Sequence, residues 1–294
     1  MLCACIDIGS NTTRLLVAEV GAQGLRTVAQ RRAFTRIGAD TRATGSISPG
    51  KLDEVAGVVG EYRAVAAQLG AIGVRVVATA ALREAANRDQ VLEALGRRVG
   101  LEVELLDGDE EARLAFLGAT RTLGHPLEGM VGVVDVGGGS TEIAVGTVAG
   151  GVEWSCSLRL GSGMLAYAHQ RSDPPSRPEL DAMAAAAAQR LAEIDVPPVD
   201  CAVAVGGSAT SLRRLMGSVL DGQCMSDALV RLTSGPAEQL GPELDLAVER
   251  VRLLPAGILI LAAAALRLRS SLELACGGIR EGVCIDAATR NRPD

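Results

Sequence analysis

The chain has 294 residues, 48% of them apolar, enough for two domains with a core each, which excludes a disordered tail or a peptide module. A net charge of −6 excludes broad, sequence-independent adhesion to nucleic acid or anionic lipid, because such binding needs many cations to neutralise phosphates. Any anion site must be local.

In chain order, CACIDIG reads as a buried strand, TRLLVAEV as a second and the segment from Leu25 to Arg36 as a third, a meander joined by short turns. The stretch TRATGSISPG is turn-rich, and from Lys51 to Leu69 apolar residues recur at helical spacing. A strand at VRVVAT, a helix from Ala80 to Gly96, a strand at LEVELL and a helix opened by Asp109 follow. The order βββαβαβα predicts a mixed sheet with helices packed on it. The loop from Leu123 to Gly129 carries Gly and Pro around a polar tip and is the expected hinge.

From Met130 the chain repeats its own opening. Set 128 positions apart, IDIGSNTTRLLV lies over VDVGGGSTEIAV, matching Asp7 with Asp135, Gly9 with Gly137, Thr13 with Thr141 and Val17 with Val145. This predicts a duplicated lobe, with boundaries at 1–124 and 125–294, the packing of the last helix back on the first lobe being left open. The apolar run Leu253 to Leu266 falls short of the roughly 20 residues of a membrane span and ends at Arg267 and Arg269, so it reads as a buried helix.

In the second hairpin, Gly137, Gly138 and Gly139 remove every Cβ from a tight turn, so backbone N–H groups can converge on an anion. Ser140 and Thr141 add hydroxyls, and Asp135 stands at the strand end where a carboxylate can hold Mg²⁺ or its water shell. The first hairpin keeps Asp7, Gly9, Ser10, Asn11 and Thr12 but has Arg14 where the second has Glu142. Arginine offers a permanently charged fork for phosphate oxygens, whereas glutamate can bind metal or accept a proton from water. The expected division is that one lobe holds substrate and the other supports chemistry, the two hairpins clamping a phosphate chain and its metal.

With these motifs in order, the chain resembles the exopolyphosphatase and guanosine pentaphosphate phosphohydrolase family, within the sugar kinase and actin superfamily. The landmarks are DIGSNTTRLLVAE from Asp7, ATAALREAAN from Ala78, GDEEARL from Gly108, VVDVGGGSTE from Val133, AVGGSATSL from Ala204 and GGIREGV from Gly277. Ala80 stands where the family often has serine, and Ser208 replaces a commoner threonine.

The resemblance implies an α/β fold of two ribonuclease-H-like lobes, the actin-like ATPase superfold. It implies a hydrolase releasing terminal orthophosphate from linear polyphosphate by water attack with Mg²⁺ or Mn²⁺, or acting on guanosine pentaphosphate (pppGpp), in a cytoplasmic homodimer without nucleic-acid or membrane partners. By motif position it puts the catalytic base on Glu111, with Glu142 assisting and Asp7, Asp135 and Glu142 on the metal. Ser10, Asn11, Thr12, Arg14, Arg83 and Asn87 would take phosphate oxygens with the 137–141 turn, and Arg36 lies in a family-like segment. For Arg36 and Arg83 a surface salt bridge is an equal alternative. Gly207 and Ser208 form a further turn suited to an anion or nucleoside. Arg280 reads as structural.

Without the resemblance, the acidic residues 109–111 are explained by capping and the helix dipole, with Asp109 as N-cap. The chain carries no evident cationic stretch for a very long polyanion, which favours short-chain polyphosphate. A non-catalytic polyphosphate or nucleotide sensor and a sugar or acid kinase are the rival readings. The seven cysteines, without CxxC spacing, read as reduced core residues, and MLCACIDIGS at Met1 lacks the form of an export signal.

Overall fold

The computed structural model describes residues 1–22 and 24–290. They divide into two units: Met1–Thr122 with the segment from Gly277 onward, and Leu123–Cys276.

The first unit is built on β1 (Leu2–Ile8), β2 (Thr13–Gly21), β3 (Gly24–Ala33), β4 (Gly73–Ala78) and β5 (Val103–Leu105), in the order β3-β2-β1-β4-β5. β1, β2 and β3 form an antiparallel meander, and β4 and β5 add parallel strands through helical crossovers. Strand alternation sorts the core into two faces. Ala4, Ile6, Ile8, Leu15 and Val17 pack on Val55, Val59 and Tyr62 of the helix Pro49–Gln68. Cys3, Cys5, Leu16 and Ala18 pack on Leu114 of the helix Gly108–Thr120 and on Val283 and Cys284 of the helix Ile279–Arg290.

The second unit has β6 (Val131–Val136), β7 (Thr141–Thr147), β8 (Gly151–Leu158), β9 (Cys201–Val205), β10 (Val219–Leu220) and β11 (Leu272–Leu274), in the order β10-β11-β9-β6-β7-β8. β10 aside, this repeats the first sheet, and the repeat extends to detail. Asp7 pairs with Arg14 and Val77; Asp135, 128 positions later, pairs with Glu142 and Val205. The meander bulges between Val17 and Ala18 in one sheet and between Val145 and Gly146 in the other, again 128 positions apart. The two-lobed α/β fold expected from the sequence is thus present, with the duplication written into the strand register.

Four local expectations are corrected. A helix over Ile37–Thr44 lies partly inside the stretch read as turns. The single helix expected from Ala80 to Gly96 is two, Ala80–Arg83 and Arg88–Val99. Between them Ala86 N–H donates to the Gly45 carbonyl and the Asn87 side chain takes both backbone groups of Ile47, a local alternative to helical bonding. The N-cap of the helix Gly108–Thr120 is Asp107, whose carboxylate accepts from Glu110 N–H at 2.8 Å; Asp109 lies inside the first turn. The apolar run at 253–266 is part of a longer helix, Val248–Leu268, whose 21 residues suffice in length and composition to cross a membrane. Leu254, Ile258, Leu261 and Ala264 of that helix lie in the core of the second unit.

Candidate active site

In each unit the strand carrying the aspartate ends in a turn closed by one backbone bond: Gly9 N–H to the Thr12 carbonyl, and Gly137 N–H to the Ser140 carbonyl, both 3.0 Å. The first turn is strapped from behind, where Gly38 N–H donates to Ser10 O at 2.7 Å and Arg36 N–H to Asn11 O at 3.0 Å. Arg36 makes this approach in the left-handed region, at φ 49°.

The second turn is held from the helix Ser162–His169. Ser162 N–H donates to Gly137 O at 2.9 Å, and Gly163 and Met164 N–H to Gly138 O at 3.0 and 3.1 Å. The Gly137, Gly138 and Ser140 carbonyls are consumed, and the Gly138 and Gly139 N–H groups donate to no partner among the described residues. Glycine is required on the helix side of this contact, since a Cβ on Gly161 would lie 2.4 Å from the Gly138–Gly139 peptide.

Around Asp7 the charges are arranged against burial. Its Oδ1 is buried and has no hydrogen-bond partner among the described residues. Burial raises its carboxyl above the ordinary range, Arg280 and then Arg14 pull it back, and Glu281 adds to the rise. Arg280, read from sequence as structural, is therefore the leading cation acting on Asp7. The signal for it was the GGIREGV motif itself, but only the packing of the helix Ile279–Arg290 on β1 brings its charge to bear on Asp7.

Glu111 is 2% exposed, although it stands in the first turn of its helix, where acids usually meet water. Arg83 forms an ion pair with its Oε1 and donates to the Leu106 carbonyl at 2.7 Å, which anchors the guanidinium. The salt-bridge alternative weighed for Arg83 is what the structure contains, and its partner is the carboxylate expected to act as base. Asn87 does not join them: its carboxamide is used on Ile47.

In the second unit Asp135 and Glu142 are adjacent across β6 and β7 and are 6% and 2% exposed. Ser157, unremarked in the sequence, is Glu142's neighbour on β8 and donates to Glu142 Oε1 at 2.8 Å, fixing its orientation. A Cβ on Gly206, which has φ +93°, would lie 2.5 Å from Asp135 Oδ1, so the chain passes close against the carboxylate as it leaves β9. Two expected phosphate ligands are withdrawn from that role. The Thr141 hydroxyl donates to the Leu160 carbonyl, and Ser208 is fully buried, its Oγ without a hydrogen-bond partner among the described residues and 2.2 Å from where a Cβ on Gly257 would stand. Gly207 lies under the guanidinium of Arg250.

Among the described residues no three His, Cys, Asp or Glu side chains converge as a metal cage. The donor set nonetheless suits Mg²⁺, which binds through one or two carboxylates and takes its remaining oxygens from water and phosphate. The unpartnered Oδ1 of Asp7 and the adjacent Asp135–Glu142 pair are such carboxylates.

The chain is similar to known proteins in sequence and in fold. The model of the Ppx/GppA phosphatase family matches residues 16–291. Over 221 residues the chain is 34% identical to Exopolyphosphatase 1 of Mycobacterium leprae, covering 72% of this chain and 64% of that protein's length. It is also 34% identical over 229 residues to Exopolyphosphatase 2 of Mycobacterium tuberculosis, covering 74% of this chain and 71% of that one. Among solved structures, the Aquifex aeolicus member of the Ppx/GppA family superposes with a TM-score of 0.85 at 29% identity, over 100% of this chain and 99% of that one. An exopolyphosphatase from Cytophaga hutchinsonii gives 0.87 at 17% identity over 99% of both chains, a likeness of fold.

Proposed function

The chain belongs to the Ppx/GppA phosphatase family, and from that membership we propose that it is an exopolyphosphatase, releasing terminal orthophosphate from short-chain polyphosphate by attack of water. The observation that carries this reading is the buried Glu111 carboxylate, held on one side by Arg83. Burying a carboxylate is costly unless it is paired, and a first-turn glutamate has an open route to solvent, so an inward Glu111 implies a use for it.

In this reading Glu111 orients the attacking water and accepts its proton, while Arg83 sets the direction of the carboxylate. In the first unit Arg14, and in the second the Gly138 and Gly139 N–H groups, are the donors suited to phosphoryl oxygens. Each unit carries its own candidate carboxylates for Mg²⁺ or Mn²⁺, Asp7 in the first and Asp135 with Glu142 in the second; Ser157 orients Glu142 for that role. When bound, the metal supplies neutralisation of charge on the phosphoryl oxygens. Phosphoryl transfer through a loose transition state asks the protein mainly for such positioning and charge compensation.

The test is orthophosphate release, with Mg²⁺, from polyphosphates of graded length beside pppGpp and ATP. Short polyphosphate is expected to be the preferred substrate; preference for pppGpp would move the assignment to pppGpp 5′-phosphohydrolase, which breaks the same kind of anhydride bond. Glu111→Gln is expected to lower kcat by about 10²–10⁴-fold with little change in KM. A variant hydrolysing at the wild-type rate would remove Glu111 from this role.

A further inference from the structure

Each meander carries one row of three residues that are direct cross-strand neighbours on one face. In the second unit the row is Asp135, Glu142 and Ser157; in the first it is Asp7, Arg14 and Arg32. The third position of the second row orients the glutamate beside it. The third position of the first row places a second arginine against Arg14, on the strand at the sheet edge.

Like charges directly opposite across an antiparallel pair repel, and a sequence with no use for them would be expected to avoid the pair. Here a third cation joins them. The Arg32 guanidinium lies 5.1 Å from the centroid of the Phe34 ring and that of Arg36 lies 6.0 Å from the same ring. The aromatic face holds both by cation–π attraction, close to the turn to which Arg36 is strapped by its own N–H. Arg32 is exposed and has no carboxylate within ion-pair distance among the described residues.

We propose that Arg32, with Arg36 over Phe34, forms a second anion subsite beside Arg14, which takes the phosphoryl groups behind the one being cleaved and so reads the length of the chain. The proposal rests on the polyphosphatase reading. A chain leaving Arg14 along the row meets Arg32 one strand spacing away, about 5 Å, and then the Arg36 guanidinium. A lone orthophosphate held at Arg14 would not extend that far.

Arg32→Gln and Arg32→Lys in the full chain test this, with thermal melting to confirm that both fold. The measurements are KM and kcat on tripolyphosphate and on longer polyphosphates, and inhibition by orthophosphate. For Arg32→Gln the KM on longer chains is expected to rise roughly three- to tenfold, more than on tripolyphosphate, in KM rather than kcat, as for one partly exposed charge contact. Inhibition by orthophosphate should stay unchanged, and Arg32→Lys should recover most of the loss. An equal KM at every length, or an equal loss on all substrates together with weaker orthophosphate inhibition, would overturn the subsite. If the wild-type protein does not hydrolyse polyphosphate, the polyphosphatase reading fails by itself. The subsite is then decided by polyphosphate binding to the wild type and Arg32→Gln: equal affinity overturns it, and weaker binding of longer chains by the variant supports it.

Discussion

At the scale of single residues, chemistry and position separate. The exchange of Arg14 for Glu142 is visible in the aligned hairpins, and the structure places the two at the same register position of matching sheets. The hydroxyls were less legible, because a hydroxyl's partner depends on what folds against it: Thr141 meets the Leu160 carbonyl and Ser208 is sealed beneath Gly257. His125 is a further case. Exposed on the loop from Leu123 to Gly129, it shares a hydrogen bond of 2.8 Å with Glu273 through Nε2, and this bond, then the Pro126 carbonyl and the charge of Glu273, raise its pKa above the ordinary 6.5. A raised folded value means that the pair's contribution is complete below the unfolded value and is lost as pH rises through the folded one. An NMR titration should find His125 above 6.5, and Glu273→Gln should bring it back down. A titration midpoint unmoved by that substitution would mean that the bond does not persist in solution.

At the scale of elements, the candidate base depends on a helix crossing. The helices Gly108–Thr120 and Ile279–Arg290 touch backbone to backbone: a Cβ on Gly118 would lie 2.0 Å from the Gly278 carbonyl oxygen, and one on Gly282 would lie 2.0 Å from that of Leu114. Asp286 ties the same elements together, accepting from Arg113 at 3.1 Å and from Arg75 of β4 at 3.2 Å. This crossing sets Glu111 and Arg280 on one end of the first sheet. Alanine is favoured over glycine in a helix by about 1 kcal/mol, but overpacking against backbone that cannot rotate away costs on the order of 1–3 kcal/mol or more. Gly118→Ala should therefore destabilise the protein on balance, by about 2 kcal/mol in urea unfolding. A stabilised variant would show that the helices are farther apart than the structure has them. Gly118 does not stand out in the sequence, since a helical glycine is ordinarily only a weak residue, and Gly282 is marked there only as part of the GGIREGV motif, with nothing to say what it packs against.

At the scale of the whole molecule, the segment from Gly277 belongs with Met1–Thr122, so the first unit is made from both ends of the chain. Val283 and Cys284 complete the core face formed by Cys3, Cys5, Leu16 and Leu114. A chain stopped after Cys276 should accordingly lose the native first unit, seen as lost helical signal and aggregation, while its second unit keeps a cooperative transition. A truncated protein with both units intact would contradict the shared core. Sequence by itself determined the succession of strands and helices in the first lobe, the duplication at 128 positions, the paired aspartates and the arginine–glutamate exchange, because strand alternation, glycine turns and charge type are local properties. It did not determine where the helix over 80–99 breaks, that Asp107 is the cap, that Ser157 orients Glu142, or that Arg83 meets Glu111. Nor did it determine that the charge of Arg280 acts on Asp7 or that Arg32 stands beside Arg14. Those pairings join positions distant along the chain, and only the register of the sheets and the crossing of the helices brings them within reach of one another.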